Sequence, residues 1–234
     1  MKICGLQKTT LLDFPGKVAA TLFTGGCNFR CPFCHNSGLL SGDAEELYTP
    51  GEILCFLEKR KNILEGVCIT GGEPTLQPDL EDFIRDIRSL GLAVKLDTNG
   101  YRPDILKALC RKGLLDYAAM DIKGGRNRYG AAAGIRDLSM DRIDESVRFL
   151  LEETVPYEFR TTVVRGIHGA EDFRQIGPWI RGCRRYFLQA FTDSGDILVP
   201  QTYAAFSGRE MMEFAELVRP FVDNVSLRGI DYPS

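Results

Sequence analysis

The sequence lacks long hydrophobic runs and a large excess of charge of either sign. No apolar stretch approaches the roughly 20 residues that a membrane-spanning helix needs. The opening residues, MKICGLQKTTLLDFPG, lack the apolar segment of a secretory signal. The formal net charge is −3, which gives no electrostatic reason to bind nucleic acid or an anionic membrane. We therefore expect a cytoplasmic protein whose partners include neither a membrane nor a nucleic acid.

Linkers, low-complexity segments and internal repeats are also absent from the sequence. The 234 residues are 44% hydrophobic and 26% charged, a globular balance that excludes a mostly disordered chain. A domain of this length buries about 70% of its unfolded surface, so it needs no disulfides to hold a core. We predict a single domain over residues 1–234, in which residues 1–17 form a lead-in segment.

Apolar runs and amphipathic stretches alternate along the chain. The apolar runs predict six strands, at residues 18–24, 66–70, 92–96, 115–122, 157–164 and 186–191, with 224–227 as a candidate short seventh. The amphipathic stretches predict helices at residues 50–62, 79–90, 103–112, 140–154, 170–180 and 207–222. This alternation predicts an α/β fold with parallel strands and right-handed crossovers.

Two architectures fit this order of elements: an open doubly wound sheet and a barrel of the (β/α) type. A complete barrel of eight strand–helix units takes about 250 residues. The sequence shows six clear units, so a complete barrel is not expected.

The unusual residues follow the ends of the predicted strands. CNFRCPFC follows the first strand, GGEP (71–74) the second, DTNG (97–100) the third and DIKGG (121–125) the fourth. Arg160 lies in the fifth strand, and Gln189 lies near the end of the sixth. Because the carboxyl ends of parallel strands share one rim, we expect these residues to form one site.

Three of the eight cysteines are clustered, as Cys27, Cys31 and Cys34. The other five are scattered, and we expect them to be small buried hydrophobic residues. A zinc site and an ordinary [4Fe–4S] electron carrier both require four ligands. After Cys34 the next cysteine along the chain is Cys55, so no fourth cysteine lies near the three. His35 could complete a zinc site only with awkward geometry. The triad therefore suggests a [4Fe–4S] cluster with one open iron, with zinc or incidental core cysteines as the alternatives.

CNFRCPFC, with Phe33 before its last cysteine, resembles the C-x3-C-x2-C motif of radical S-adenosylmethionine (SAM) enzymes, and GGEP resembles their second motif. The resemblance implies a partial (β/α)6 barrel of the TIM type. It also implies one three-cysteine [4Fe–4S] cluster whose open iron binds SAM. In that family the reduced cluster cleaves SAM, and a 5′-deoxyadenosyl radical then abstracts hydrogen.

A longer segment, LLDFPGKVAATLFTGGCNFRCPFCHN, resembles the opening of glycyl-radical-enzyme activases. The GLQKTTLLDFPGK start and the LRGI segment (227–230) resemble the activating proteins of anaerobic ribonucleoside-triphosphate reductases. The resemblance implies a glycyl-radical enzyme, such as that reductase, as the partner. Residues 36–50 contain no second set of cysteines, so the electron must come from an external donor, and we infer a flavodoxin or ferredoxin.

The resemblance also implies a role for each candidate site residue. Cys27, Cys31 and Cys34 ligate the cluster. The SAM-binding residues are Phe33, Gly72, Glu73, Asp97, Thr98, Asp121, Lys123, Arg160 and Gln189. Among them, Asp97, Thr98 and Asp121 match positions that surround a monovalent cation in relatives. No catalytic side chain is implied, because the cluster and SAM carry the chemistry. Asp13, from the D-x-P-G segment, matches a position that meets the substrate near the target glycine.

Several of these residues have simpler structural interpretations. Asp97 could cap the DTNG turn through its side chain. Arg160 could pair with Glu158 or Asp121 within the sheet, and Lys123 could be solvated. These interpretations place the charges in the fold without assigning them to a ligand.

The function also has alternatives. One is a radical SAM enzyme that acts on a small molecule, such as a carboxy-deazaguanine synthase. The other is a non-enzymatic iron–sulfur or zinc module.

His168, in the loop after the fifth strand, is expected to be a surface residue.

Overall fold

The described strands form one eight-stranded sheet. The structure, a computed structural model, describes residues 1–193, 197–199 and 203–230. The strands are β1 (Ile3–Thr10), β2 (Ala19–Thr24), β3 (Gly66–Gly71), β4 (Ala93–Thr98), β5 (Tyr117–Asp121), β6 (Tyr157–Val163), β7 (Tyr186–Ala190) and β8 (Val225–Arg228). They lie in sequence order, with β2 to β8 parallel and β1 antiparallel to β2.

Helices connect the parallel strands. Those described are α1 (Pro50–Arg60), α2 (Leu80–Ser89), α3 (Pro103–Arg111), α4 (Tyr129–Ala133), α5 (Met140–Leu151), α6 (Ala170–Trp179) and α7 (Gly208–Val218). Helix α1 begins with a capping box, in which Thr49 and Glu52 satisfy each other's backbone N–H groups. Helix α7 begins in the same way at Ser207 and Glu210. Within the described ranges, no helix is both long enough and apolar enough to cross a membrane.

The two faces of the sheet carry different residues, because side chains alternate along each strand. Leu22, Ile69 and Leu96 lie side by side in β2, β3 and β4 and belong to the main hydrophobic core, which also includes residues of α1 and α2. The positions just before them, Thr21, Cys68 and Lys95, also lie side by side but face the inside of the curved sheet. The helices therefore cover an apolar face, and the inner face is free to carry polar groups.

The structure confirms the parallel α/β fold and all six predicted strands, and the candidate seventh strand is β8. Two elements were not predicted. Strand β1 lies within the expected lead-in segment, where Gln7, Lys8 and Thr9 are exposed and leave no continuous apolar run. Helix α4 lies in a glycine-rich loop and has only five residues. The assignment of residues 1–234 to one domain remains a prediction.

Candidate active site

The carboxyl ends of the parallel strands open into one cavity, and every predicted site residue except Asp13 lines it. The lining includes Cys27, Cys31, Phe33, Cys34, Gly72, Glu73, Asp97, Thr98, Asp121, Lys123, Arg160 and Gln189. These residues come from six separate strand ends. Their convergence is a property of the structure, while the role of each residue remains a prediction.

The cysteine loop follows β2 and presents three free thiols to the cavity. Burial raises the pKa of Cys27 to about 11 and that of Cys31 to about 12. Within the described part of the chain, no group of three or more His, Cys, Asp or Glu side chains is arranged to hold a metal ion. This finding applies equally to a zinc ion and to an iron–sulfur cluster, so the comparison between them rests on the chemistry of the donors.

The donors of this loop fit an iron–sulfur cluster. Thiolates are the usual ligands of such clusters. Asn28, next to Cys27, has a buried Nδ2 group with no hydrogen-bond partner in the described structure. The backbone N–H of Phe29 already donates to Cys27 Sγ at 3.3 Å. A cluster held by the three thiolates would give sulfur acceptors to the donors of this loop.

The glycines of GGEP are required by contacts within the protein. Gly71 has a φ of +113°, and a Cβ there would lie 2.3 Å from the Thr24 backbone nitrogen. A Cβ on Gly72 would lie 2.0 Å from the carbonyl oxygen of Gly26. The two glycines therefore allow the ends of β2 and β3 to pack backbone against backbone, which sets the cysteine loop beside Glu73.

Glu73 is almost completely buried and is held by neutral donors. Its Oε1 accepts hydrogen bonds from the Thr75 hydroxyl at 2.5 Å and the Thr98 hydroxyl at 2.8 Å. The Thr75 backbone N–H also donates to Oε1, and the Asn99 backbone N–H donates to Oε2 at 2.7 Å. Burial raises the pKa of Glu73, and these donors offset only part of that effect. The carboxylate therefore joins the ends of β3 and β4.

Opposite Glu73, two carboxylates and three cations form one network. Arg160 bridges Asp97 Oδ2, at 3.1 Å, and Asp121 Oδ1, at 2.7 Å. Lys123 Nζ donates to Asp121 Oδ2 at 2.9 Å, and Lys95 Nζ donates to Asp97 Oδ1. Burial alone would raise the pKa of Asp97 and of Asp121, but the positive charges outweigh it and the pKa of each is lowered.

The simpler interpretations of these charges are partly correct. Arg160 does pair with Asp121, as expected, but it also reaches Asp97. The DTNG turn is capped by Thr98 and Asn99, whose side chains accept from the N–H groups of Gly100 and Tyr101. Lys123 is not simply solvated, because it is paired with Asp121.

His168 is buried, so its expected surface position is wrong. Its Nδ1 accepts from the Val164 N–H at 2.9 Å, which leaves the proton on Nε2, 2.8 Å from the Lys123 carbonyl oxygen. The ring lies 6.0 Å from the ring of Phe33 and 6.4 Å from that of Phe173. It therefore links the cysteine loop to the segments that follow β5 and β6.

Asp13 lies outside the lining of the cavity. Its Oδ2 accepts from the Thr21 hydroxyl at 2.5 Å, so the carboxylate faces the inner side of β2. The neighbouring Phe14 is buried against Tyr117 and lies over Gly66 at the start of β3. The D-x-P-G segment thus packs at the opposite end of the strands from the cysteine loop.

Lys95, Asn99 and Thr162 were not predicted as site residues. Asn99 and Thr162 line the cavity, and Asn99 donates to Asn28 Oδ1 at 2.8 Å. Lys95 lies in a predicted apolar strand, where its only signal is its spacing of two residues from Asp97.

Of the five other cysteines, Cys55 is exposed, because it lies on the side of α1 opposite the buried Ile53 and Leu57.

Comparison with known families gives a match over most of the chain. The family described as the radical SAM superfamily matches residues 21–176. A Methanocaldococcus jannaschii protein, described as a candidate glycyl-radical enzyme activating enzyme, is 28% identical over 245 residues, covering 98% of this chain and 96% of that protein. A Thermococcus kodakarensis protein, described as a candidate GTP 3′,8-cyclase, is 31% identical over 154 residues, covering 63% of this chain and 48% of that protein.

Solved structures share the fold at low sequence identity. SuiB of Streptococcus suis bound to S-adenosylmethionine has a TM-score of 0.67 and 14% identity, covering 87% of this chain and 48% of that one. This chain thus spans about half the length of SuiB. A domain of pyruvate-formate lyase-activating enzyme from Bacteroides vulgatus has a TM-score of 0.56 and 17% identity, covering 70% of this chain and 99% of the domain. These likenesses confirm the predicted partial barrel.

Proposed function

The chain belongs to the radical SAM superfamily, and from that membership we propose that it activates a glycyl-radical enzyme. The observation that carries the proposal is the reciprocal coverage of the M. jannaschii relative, 98% of this chain and 96% of that protein. The GTP cyclase relative is instead matched over only 48% of its length. The match therefore extends over nearly all of the M. jannaschii protein and over about half of the cyclase.

The family implies a [4Fe–4S] cluster and SAM, and the cavity has residues that would hold both. Cys27, Cys31 and Cys34 would ligate the cluster. When bound, the cluster supplies the electron that cleaves SAM, and the cleaved SAM supplies the means to remove a hydrogen atom from a glycine. Because burial favours the protonated thiols, cluster binding must release their protons.

The two sides of the cavity would orient SAM by charge. Arg160 and Lys123 are positioned to attract its methionine carboxylate, and Glu73 is positioned to attract the ammonium group next to it. The Phe33 backbone and Gln189 would lie along the adenosine. The chain supplies binding, orientation and exclusion of water, and it needs no side chain as a general base.

We infer that the partner is an anaerobic ribonucleoside-triphosphate reductase and that a flavodoxin or ferredoxin donates the electron. The first inference follows from the opening segment and LRGI, and the second from the absence of a second cysteine set in residues 36–50. Asp13 would meet the partner near its glycine. We also infer a cytoplasmic location, because a protein with eight free cysteines suits a reducing compartment.

The test is anaerobic reconstitution with iron and sulfide, followed by incubation with SAM, a reductant and a candidate reductase. We expect 5′-deoxyadenosine to form and the reductase to acquire the paramagnetic signal of a glycyl radical. Cys31→Ala should abolish both products, whereas Cys55→Ala, at the exposed cysteine of α1, should abolish neither.

The variant Asp13→Ala distinguishes activation of the partner from cleavage of SAM. We expect it to keep SAM cleavage and lose activation of the reductase, because Asp13 lies outside the cavity lining. SAM cleavage that depends on GTP or another small molecule, with no radical on any candidate reductase, would contradict the activase function and favour the small-molecule alternative.

A further inference from the structure

We propose that the Asp97–Asp121 pair is neutralised by the protein's own cations, so that SAM binding requires no monovalent metal ion, and that Lys95 is the residue responsible. The proposal rests on the proposed SAM-dependent function. It departs from the resemblance, which implied a monovalent cation near Asp97, Thr98 and Asp121.

The first step is that all four carboxylate oxygens of the pair already have a cationic partner. Asp97 Oδ1 accepts from Lys95 and Asp97 Oδ2 faces Arg160 at 3.1 Å. Asp121 Oδ1 faces Arg160 at 2.7 Å, and Asp121 Oδ2 faces Lys123 at 2.9 Å. A metal ion that approached any of these oxygens would meet a side-chain cation already bound to it, and the two positive charges would repel each other.

The second step concerns Thr98, whose side chain is committed elsewhere. Its hydroxyl donates to Glu73 Oε1 at 2.8 Å and accepts the Gly100 N–H at 3.1 Å. The Thr98 hydroxyl therefore belongs to the Glu73 side of the cavity and could bind a metal ion only by giving up these hydrogen bonds.

The third step is the charge count. Lys95, Lys123 and Arg160 carry three positive charges against the two negative charges of Asp97 and Asp121. The remaining positive charge suits the carboxylate of SAM and repels a further cation. Binding of SAM would bring this group of charges to neutrality.

The fourth step explains why Lys95 in particular makes a monovalent metal ion unnecessary. Lys123 and Arg160 line the cavity, with side chains 19% and 14% exposed, so their remaining N–H groups can donate to a ligand carboxylate while they stay paired with the aspartates. The Lys95 side chain is only 2% exposed, and it lies below Asp97 on the inner face of β4. Its other polar neighbour is the Cys68 thiol at 3.7 Å, so Asp97 is its one carboxylate partner among the described residues. Lys95 thus stays with Asp97 when the other cations engage SAM.

The test replaces Lys95 with methionine, which removes the charge and keeps an unbranched side chain. Thermal unfolding of the metal-free protein is compared in potassium, sodium and tetramethylammonium chloride at equal ionic strength. We expect the wild-type Tm to be the same in all three salts, and the Tm of Lys95→Met to rise with potassium or sodium, because ligand binding stabilises the folded state.

SAM cleavage by the reconstituted protein provides the second measurement, with photoreduced deazaflavin as a sodium-free reductant. Lys95→Met should lose about tenfold in activity in tetramethylammonium chloride and recover most of it in potassium chloride, within the usual range of coupling between two bound ligands. The wild type should show no such dependence. Lys95→Arg, which keeps the charge, should resemble the wild type.

Lys107→Met is the matched control, because Lys107 forms an ion pair with Glu145 at 2.7 Å away from the cavity. It should respond equally to all three salts. A wild-type protein that is stabilised or activated specifically by potassium or sodium would overturn the proposal, even if Lys95→Met failed to fold. A protein that cleaves SAM without potassium or sodium but activates no reductase would overturn the proposed function and leave this inference standing.

Discussion

The two sides of the cavity stabilise a buried carboxylate in different ways. On one side, Asp121 is paired with two cations, Arg160 and Lys123. On the other side, Glu73 is reached by neutral donors, which come from Thr75, Thr98 and Asn99. Glu73 is 1% exposed, whereas the Asp121 side chain is 29% exposed, so the two carboxylates differ in exposure as well as in their partners.

Because their partners differ, the pKa values of the two carboxylates are shifted in opposite directions. Burial raises the pKa of both, but around Asp121 the cations outweigh burial, and the pKa is lowered. Around Glu73 the neutral donors do not outweigh burial, and the pKa is raised. One side of the cavity therefore carries surplus positive charge, and the other carries a carboxylate with no ion pair among the described residues, which is the arrangement that a zwitterionic amino-acid group would match.

Replacing Arg160 with methionine should have the largest effect, because it removes the cation that Asp97 and Asp121 share. Removing one member of a buried pair is expected to lower the free energy of unfolding by about 3 kcal/mol. SAM affinity should fall about 100-fold through the loss of a charged contact. Urea unfolding of the metal-free protein and SAM titration of the reconstituted protein measure the two effects.

Arg165→Met is the control for Arg160→Met. Arg165 comes shortly after β6 and pairs with Glu210 at 2.7 Å in an exposed ion pair. An exposed pair contributes about 0–1 kcal/mol, so the control should keep both stability and SAM affinity. Equal effects of the two substitutions would contradict the special role of the bridging arginine.

Replacing Glu73 with glutamine tests the side of the cavity where neutral donors hold the carboxylate. It should have the next largest effect on stability and SAM affinity. The amide can accept from the threonine hydroxyls, but its NH2 group then faces the Asn99 N–H, and a buried donor loses its acceptor. The expected cost is about 1–3 kcal/mol of unfolding free energy. SAM affinity should fall about tenfold, because the ammonium group loses its counter-charge.

Glu81→Gln is the corresponding control on α2, where Glu81 is paired with Lys112 and Arg85 at the surface. It should change neither SAM affinity nor, by more than about 1 kcal/mol, stability. If Glu73→Gln bound SAM as tightly as the wild type, Glu73 would be a structural residue that joins β3 to β4, with no contact to the ligand.

The position of the site could be predicted from the sequence, because it depends on local patterns. GGEP, DTNG and DIKGG each follow an apolar run, and parallel strands bring such ends to one rim. The same alternation is compatible with both an open doubly wound sheet and a barrel, and the partial barrel was implied only by the family resemblance. Strand β1 escaped prediction because its pairing with β2 is a non-local contact that leaves no periodic apolar signal.

The partners within the site could not be predicted, because they depend on which residues face each other across the cavity. Thr98 was assigned with Asp97 and Asp121, but its hydroxyl turns to Glu73. The sequence places Lys95 in a predicted apolar strand, and only the alternation of side chains along β4 puts it on the same face as Asp97. The buried position of His168 depends on two aromatic rings from separate segments.

Replacing Thr98 with valine should have a smaller effect on stability and SAM affinity, because it changes only the side of the cavity where neutral donors hold Glu73. The change removes the hydroxyl that donates to Glu73 and accepts from Gly100. Two lost hydrogen bonds are expected to cost about 1–3 kcal/mol of unfolding free energy. SAM affinity should change less than in Glu73→Gln, because the carboxylate keeps its charge.

Thr161→Val is the matched control, because the Thr161 hydroxyl is also buried and donates to the Ile122 carbonyl oxygen at 2.7 Å, away from the cavity lining. It should lower stability by a similar amount and leave SAM binding unchanged. If Thr98→Val and Thr161→Val affected SAM affinity equally, the contact between Thr98 and Glu73 would have no bearing on the ligand.

The smallest expected effect is on the pH dependence of stability, where the two carboxylates should act in opposite directions. The pKa of Glu73 is raised in the folded state, so its contribution is complete below about pH 4.5 and is lost as the pH rises through the folded value. The pKa of Asp121 is lowered, so its contribution is complete above about pH 4 and is lost as the pH falls. Urea unfolding of the metal-free wild type, Glu73→Gln and Asp121→Asn across this range gives two difference curves. The wild-type advantage over Glu73→Gln should shrink with rising pH, and that over Asp121→Asn with falling pH. Two curves of the same slope would mean that both carboxylates respond to burial alone, and the distinction between the two sides of the cavity would be lost.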